Sequence, residues 1–248
     1  NLIIAANHKS NLDPIFVASA VNKKRKMTAI AKEELFKNKI LAKILNKVEI
    51  IPINRQNPGL GTIKRILKYI KNDYALAPCY DDPKVVAVGE CGLDYHWPVP
   101  KDAQLALFEA EIRLALELDK PIIVHDRNAH ADVYALLKKY RPKGIVHCYS
   151  GSADDAVWLA KQGLFIGFGG ACTFKGAKRA AKAISALPLE SIVLETDCPY
   201  MAPEPVRGTR CDSSLIRYVG EYIAQLRGIS AEEVFRTTAE NARRVYGL

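Results

Sequence analysis

Apolar residues along the chain alternate between short continuous runs and longer stretches at helical spacing, the pattern of strands exchanging with helices. In the first 72 residues the runs fall at 2–6, 27–31 and 49–53, followed by helix-period stretches from Pro14, over 33–47 and over 62–71. The third of these helices presents Ile63, Ile66, Leu67 and Ile70 as its buried stripe, with Lys64, Arg65, Lys68 and Lys71 facing solvent. From residue 84 the alternation resumes with stronger strands, at 85–89, 122–124, 144–146, 164–168 and 192–194. Their near-continuous Val, Ile and Leu predicts strands covered on both faces, as in a parallel sheet wrapped by helices. A helix over 102–118 carries Leu105, Phe108, Ile112, Ala115 and Leu116 on one side. Two more span 213–226 and 231–246, the last opened by Ser230 with Glu233 three residues later, a capping box.

Four of the five later strands run out into an ionisable side chain: Glu90, His125, His147 and Asp197. The carboxyl edge of a parallel sheet or barrel is where ligand-binding loops gather, so these side chains can converge. Two imidazoles and two carboxylates suit a divalent cation such as Zn²⁺, Mn²⁺ or Mg²⁺. Such a cation lowers the pKa of a coordinated water to about 7 and stabilises charge on a phosphoryl oxygen, so metal-assisted hydrolysis is the expected chemistry. A single histidine of this set reads better as a hydrogen-bonded polar group at a strand end; four ionisable groups at one edge favour a site. Cys91, Cys148 and Cys198 directly follow Glu90, His147 and Asp197. Alternation along extended strands turns them toward the helices, as small buried hydrophobes.

Composition locates two different regions. The 248 residues hold 36 Lys and Arg against 27 Asp and Glu, a net charge of +9, with 49% hydrophobic residues. That excludes a disordered, collagen-like or disulfide-scaffold chain. No apolar run approaches the roughly 20 residues of a membrane helix, so no transmembrane segment is expected. Residues 1–72 carry 15 basic against 4 acidic side chains, whereas 73–248 carry 21 against 23. All six cysteines, at 79, 91, 148, 172, 198 and 211, lie in the second region, with no C-x-x-C pair. That spacing excludes a zinc ribbon or thioredoxin motif. A reduced, cytoplasmic protein is the simplest expectation. No leader pattern is visible, and because Asn1 is not Met the natural start is expected upstream.

The segments VVAVGECGLDYHW, PIIVHDRNAH, GIVHCYSGS, FIGFGG and IVLETDCPYMAPEPVRG, across residues 77–248, resemble the TatD family of metal-dependent deoxyribonucleases. The resemblance implies a distorted (β/α)₈ barrel of the metal-dependent hydrolase type. It implies Glu90 as a bridge between two divalent metals (Mg²⁺, Mn²⁺ or Zn²⁺), with His125, His147 and Asp197 as further ligands. It also implies DNA as substrate, hydrolysed at its phosphodiester bonds by a metal-bound water, with Arg127 and Arg207 as phosphate contacts. Glu90 and Asp197 would be the catalytic pair. The H-x-H strand with which that family begins, and the His-bearing strand after it, are missing from this sequence. The expectation is therefore at most one tightly bound metal, held by Glu90, His125 and His147, and impaired activity.

In place of those strands, NHKSNLD, AKEELF and IIPINR resemble the first motifs of PlsC-type 1-acylglycerol-3-phosphate acyltransferases. That resemblance implies His8 as general base oriented by Asp13, and Arg55 as a phosphate ligand. Asp13 before Pro14 reads alternatively as a plain helix N-cap. Acyl-CoA or anionic lipid would be the partner of the basic segment. The whole is an α/β chain: an incomplete acyltransferase-like fragment over 1–72, joined near Asn72 and Asp73 without a linker to a partial TIM-like barrel over 73–248 that lacks its first two strands. A truncated, fused reading frame is the expected origin. An inactive chain that binds anions through its basic lobe is the non-enzymatic alternative.

Overall fold

The computed structural model describes residues 85–248 throughout and, before them, Ile30–Lys32, Lys37, Ala42, Lys43 and Ile51–Ile53. Two units are compact in themselves, Asn1–Val85 and Val86–Leu248. In the first, strand β1 (Ile30–Lys32) pairs in parallel with β2 (Ile51–Ile53), Ile30 opposite Ile51 and Lys32 opposite Ile53. These strands meet the expected runs at 27–31 and 49–53. His8, Asp13 and Arg55, the strand at 2–6 and the helices from Pro14 and over 62–71 lie outside the described residues.

The second unit is a five-stranded parallel sheet whose strands neighbour one another in chain order. Strand β3 (Val88–Asp94) leads to helix α1 (Lys101–Glu117), β4 (Ile122–Arg127) to α2 (His130–Tyr140), and β5 (Gly144–Val146) to α3 (Ala153–Lys161). Strand β6 (Leu164–Phe168) is followed by α4 (Lys178–Ala186), and β7 (Ile192–Leu194) by α5 (Ile216–Arg227) and α6 (Ala231–Tyr246). No helix among the described residues is long and apolar enough to cross a membrane.

The core follows from burial on both faces of the sheet. Val124, Ile166 and Ile192 are fully buried on the strands, and Phe108, Ile112, Val133 and Leu159 are fully buried on the helices. On α1 the buried residues are Phe108, Ile112 and Ala115. Leu116, expected on that stripe, is 44% exposed. At about 100° per residue it lies past the edge of the face centred on the other three. Helix α6 begins as expected, the Ser230 hydroxyl accepting the Glu233 N–H at 3.1 Å. Its Asn241, only 3% exposed, donates to the carbonyls of Leu189 and Ile192 at 2.8 and 2.7 Å, tying the helix to the entry of β7.

Two strand ends differ from expectation and decide where the site lies. Strand β3 was expected over 85–89 but runs Val88–Asp94, so Glu90 stands inside it. Likewise β4 extends to Arg127, so His125 is within the strand. His147 does follow β5 directly, while Asp197 lies three residues beyond β7. The reason is backbone pairing: Gly92 pairs with His125 and Asp94 with Arg127, and side-chain polarity does not report such hydrogen bonds.

Candidate metal centre

The site is set by how closely β3 approaches β4. Gly92 has φ +147°, and a Cβ there would stand 2.0 Å from the His125 carbonyl oxygen, so only glycine fits this approach. The pairing register slips between Val88 and Cys91, a bulge containing Glu90. Such a bulge re-aims the side chain it carries. Period-two alternation then puts Glu90 and Asp94 on the same face, straddling Gly92 and its partner His125. The imidazole sits between the two carboxylates: Nδ1 is 2.9 Å from Glu90 Oε1, and Nε2 is 3.3 Å from Asp94 Oδ2.

His147 is oriented from the opposite side. Its Nδ1 lies 2.7 Å from Glu195 Oε2, which leaves Nε2 facing Glu90 Oε1 at 3.6 Å and Asp197 Oδ1 at 3.9 Å. The other Glu195 oxygen accepts the Cys148 backbone N–H. Gly167 makes room for this carboxylate, since a Cβ there would come within 2.8 Å of it. Glu90, His125 and His147 each bring one ligand atom within 4.8 Å of the others. Two imidazole nitrogens and one carboxylate oxygen fit a borderline divalent cation such as Zn²⁺ or Mn²⁺. A carboxylate behind a ligating histidine is the usual way its tautomer and ring direction are fixed.

The charges are mutually reinforcing. The hydrogen bond from His125 lowers the Glu90 carboxyl, with help from the charge of His147 and against burial. The same bond to Glu90 raises His125. For His147 burial works toward the neutral ring, but the hydrogen bond and charge of Glu195, with Glu90 and Asp197, overcome it and raise the group to about 9. Without a cation the His147 ring is therefore charged at neutral pH, and a metal must displace its proton.

The arginines divide. Arg127, at the end of β4, has Nη1 4.0 Å from Asp94 Oδ2, which places it beside the His125 end of the cluster. Arg207 instead lies over the Phe174 ring at 4.0 Å and 3.9 Å from Glu204. Nor do all three cysteines behave as alternation predicts. Cys91 is buried on β3. Cys148 has φ +46° and Cys198 lies beyond β7, so strand alternation applies to neither, and both are half-buried.

Comparison with known proteins fits this geometry. The model of the family described as TatD-related DNase matches residues 62–247. The chain belongs to the TatD-related DNase family. A second family model, described as acyltransferase, matches residues 1–77. An uncharacterized metal-dependent hydrolase, YabD of Bacillus subtilis, is 44% identical over 169 residues, covering 66% of this chain and 66% of its own. The Erwinia tasmaniensis protein named 3'-5' ssDNA/RNA exonuclease TatD is 33% identical over 177 residues, 68% of either chain. The chain thus spans about two thirds of the length of these curated relatives. Among solved structures, the TatD homologue YJJV of Escherichia coli superposes with a TM-score of 0.61 at 26% identity, over 90% of this chain and 86% of that one.

For this TatD-family domain two supporting carboxylates were not singled out by sequence reasoning. Asp94 had a usable signal, its spacing of four from Glu90 on one strand face. Glu195 was visible as the strand-end residue before Asp197, but nothing local marks it as the partner of His147.

Proposed function

We propose that this TatD-family chain hydrolyses DNA phosphodiester bonds with one divalent cation held by Glu90, His125 and His147. The observation that carries the reading is the convergence of those three ligand atoms within 4.8 Å, with Glu195 and Asp94 behind the two rings. A cation there supplies Lewis acidity toward a phosphoryl oxygen and acidifies the attacking water. The chain's own groups do the rest. Glu195 keeps His147 Nε2 free of its carboxylate and directed at the cluster. Asp94 holds His125, and Arg127 beside it offers a guanidinium to a substrate phosphate. Asp197, whose Oδ1 lies 3.9 Å from His147 Nε2, takes the proton of the attacking water. The water oxygen bonds to phosphorus as the P–O bond to the leaving sugar oxygen breaks, and the proton taken by Asp197 passes to that sugar oxygen, giving a phosphomonoester and a free hydroxyl.

The test is release of nucleotides from single- and double-stranded DNA with Mn²⁺ or Mg²⁺. Glu90→Ala should lower it on the order of a thousandfold, the several kcal/mol a Lewis-acidic metal supplies. Undiminished activity in that variant removes the mechanism, and elemental analysis finding two tightly held metals per chain removes the single-ion reading.

The acyltransferase match over residues 1–77 supports a second reading, acyl transfer to a lysophosphatidic acid with His8 as base and Arg55 on the phosphate. Thiol release from acyl-CoA, abolished in His8→Ala, is its signature; no thiol release from the unaltered chain rejects it.

A further inference from the structure

Cys198 and Cys211 stand 13 positions apart in the chain, yet their Sγ atoms are 4.0 Å from each other. The two segments are pinned side by side by backbone, the Cys211 N–H donating to the Pro199 carbonyl at 3.0 Å. Both thiols are free. Cys211 is 2% exposed, whereas Cys198 is half-buried and reachable. In the reduced chain the Cys198 S–H donates to Thr196 Oγ1 at 2.9 Å, and Cys211 Sγ lies 3.8 Å from the Asp212 carbonyl oxygen.

We propose that Cys198 and Cys211 form a site of reversible oxidative modification by hydrogen peroxide. Cys198, the accessible thiol, is oxidised first. Its sulfur takes one peroxide oxygen to become a sulfenic acid, and the other oxygen leaves as water. The Cys211 sulfur then attacks the sulfenic sulfur: the S–S bond forms, the S–O bond breaks, and the hydroxide leaves with the Cys211 proton as a second water. The two thiols lose two hydrogens and two electrons, and peroxide is reduced to two waters. Closing the bond requires the sulfurs to approach from 4.0 Å to about 2.0 Å after Cys198 leaves Thr196. The ring so closed contains Tyr200 and Arg207 and begins beside Asp197. This inference does not depend on the nuclease reading, because its readout is covalent.

The full chain is treated with graded hydrogen peroxide, remaining thiols are blocked with iodoacetamide, and intact and trypsin-cleaved masses are read. Trypsin separates the two cysteines into peptides 183–207 and 211–217. The expected result is a chain carrying two fewer carbamidomethyl groups than the untreated, alkylated control, with these two peptides linked at two mass units below their summed free masses and separated again by dithiothreitol. Cys211→Ser should abolish the link and leave Cys198 to proceed to the sulfinic acid. The proposal is overturned if both residues stay alkylated at peroxide doses that fully oxidise glutathione in the same tube. It is equally overturned if Cys198 bonds to a different cysteine, or reaches the sulfinic acid in the unaltered chain while Cys211 stays free.

Discussion

At the amino end of β7 the polar side chains of the last two helices reach backbone. Asn241 donates to two carbonyls, Arg227 donates to those of Ile184 and Leu187 at 2.7 Å each, and Arg244 donates to that of Glu190 at 2.6 Å. At the carboxyl end, Glu90, His125, His147, Glu195 and Asp94 reach mainly one another, and Glu90 remains 48% exposed. Both ends are polar, but they differ in what the polarity satisfies. In the first set Asn241 removes a cost, that of buried carbonyls without donors. The second accumulates charged and titratable groups with coordination capacity to spare, which is the arrangement a ligand completes. Polar groups that end on main chain therefore mark stability, and groups that end on each other at a half-open edge mark chemistry.

Substitutions at the two ends can break that distinction. The largest effect on stability is expected at the amino end. Asn241→Ala leaves two buried carbonyls unsatisfied and should cost about 2–4 kcal/mol in urea unfolding, with Mn²⁺ affinity per folded molecule unchanged. Weakened metal binding there would show that the two ends are not separate in role.

At the carboxyl end, Glu195→Gln should do the reverse. Loss of the carboxylate behind His147 is expected to reduce metal affinity by about 10- to 100-fold in calorimetric titration, with only a small change in unfolding midpoint. Unfolding that falls as steeply as in Asn241→Ala would place Glu195 among the structural groups.

The protonation of the rings sharpens the same point. His147 is raised to about 9, so it is charged below that pH and a cation must expel its proton. Apparent Mn²⁺ affinity should therefore climb by at least about tenfold per pH unit between pH 6 and pH 8 and level off above about 9. Affinity independent of pH over that range would remove His147 as a ligand.

The smallest expected difference separates the two arginines. Arg127→Ala should raise KM for DNA about fivefold at unchanged metal affinity, whereas Arg207→Ala, whose guanidinium lies over Phe174, should alter KM less than twofold. Equal effects would mean that substrate contacts both sides of the edge.

Much of the second unit could be read from residue order. Its five strands and their parallel pairing follow from continuous apolar runs separated by helical stretches, and helix α6 was legible to the residue because Ser230 and Glu233 bracket its start. Glu90, His125 and His147 were legible as strand-associated ionisable groups, though two of them lie inside strands that continue further than their apolar runs. Leu116 misled because a helical stripe has a width, and only packing shows which margin is covered. Asp197 sits three residues past its strand, where the apolar run at 192–194 puts it, and faces His147.

What the sequence determined alone is the set of chemical types and the elements that carry them: hard and borderline ligands on consecutive parallel strands, in a chain of two compositions. The tertiary structure decided which atoms meet. Each imidazole has two nitrogens, and which one is free for a cation depends on the carboxylate that holds the other. For His147 that carboxylate is Glu195, 48 positions away and admitted by the missing side chain of Gly167. Contacts of that kind depend on distances between strands distant in sequence, and no local pattern of residues encodes them.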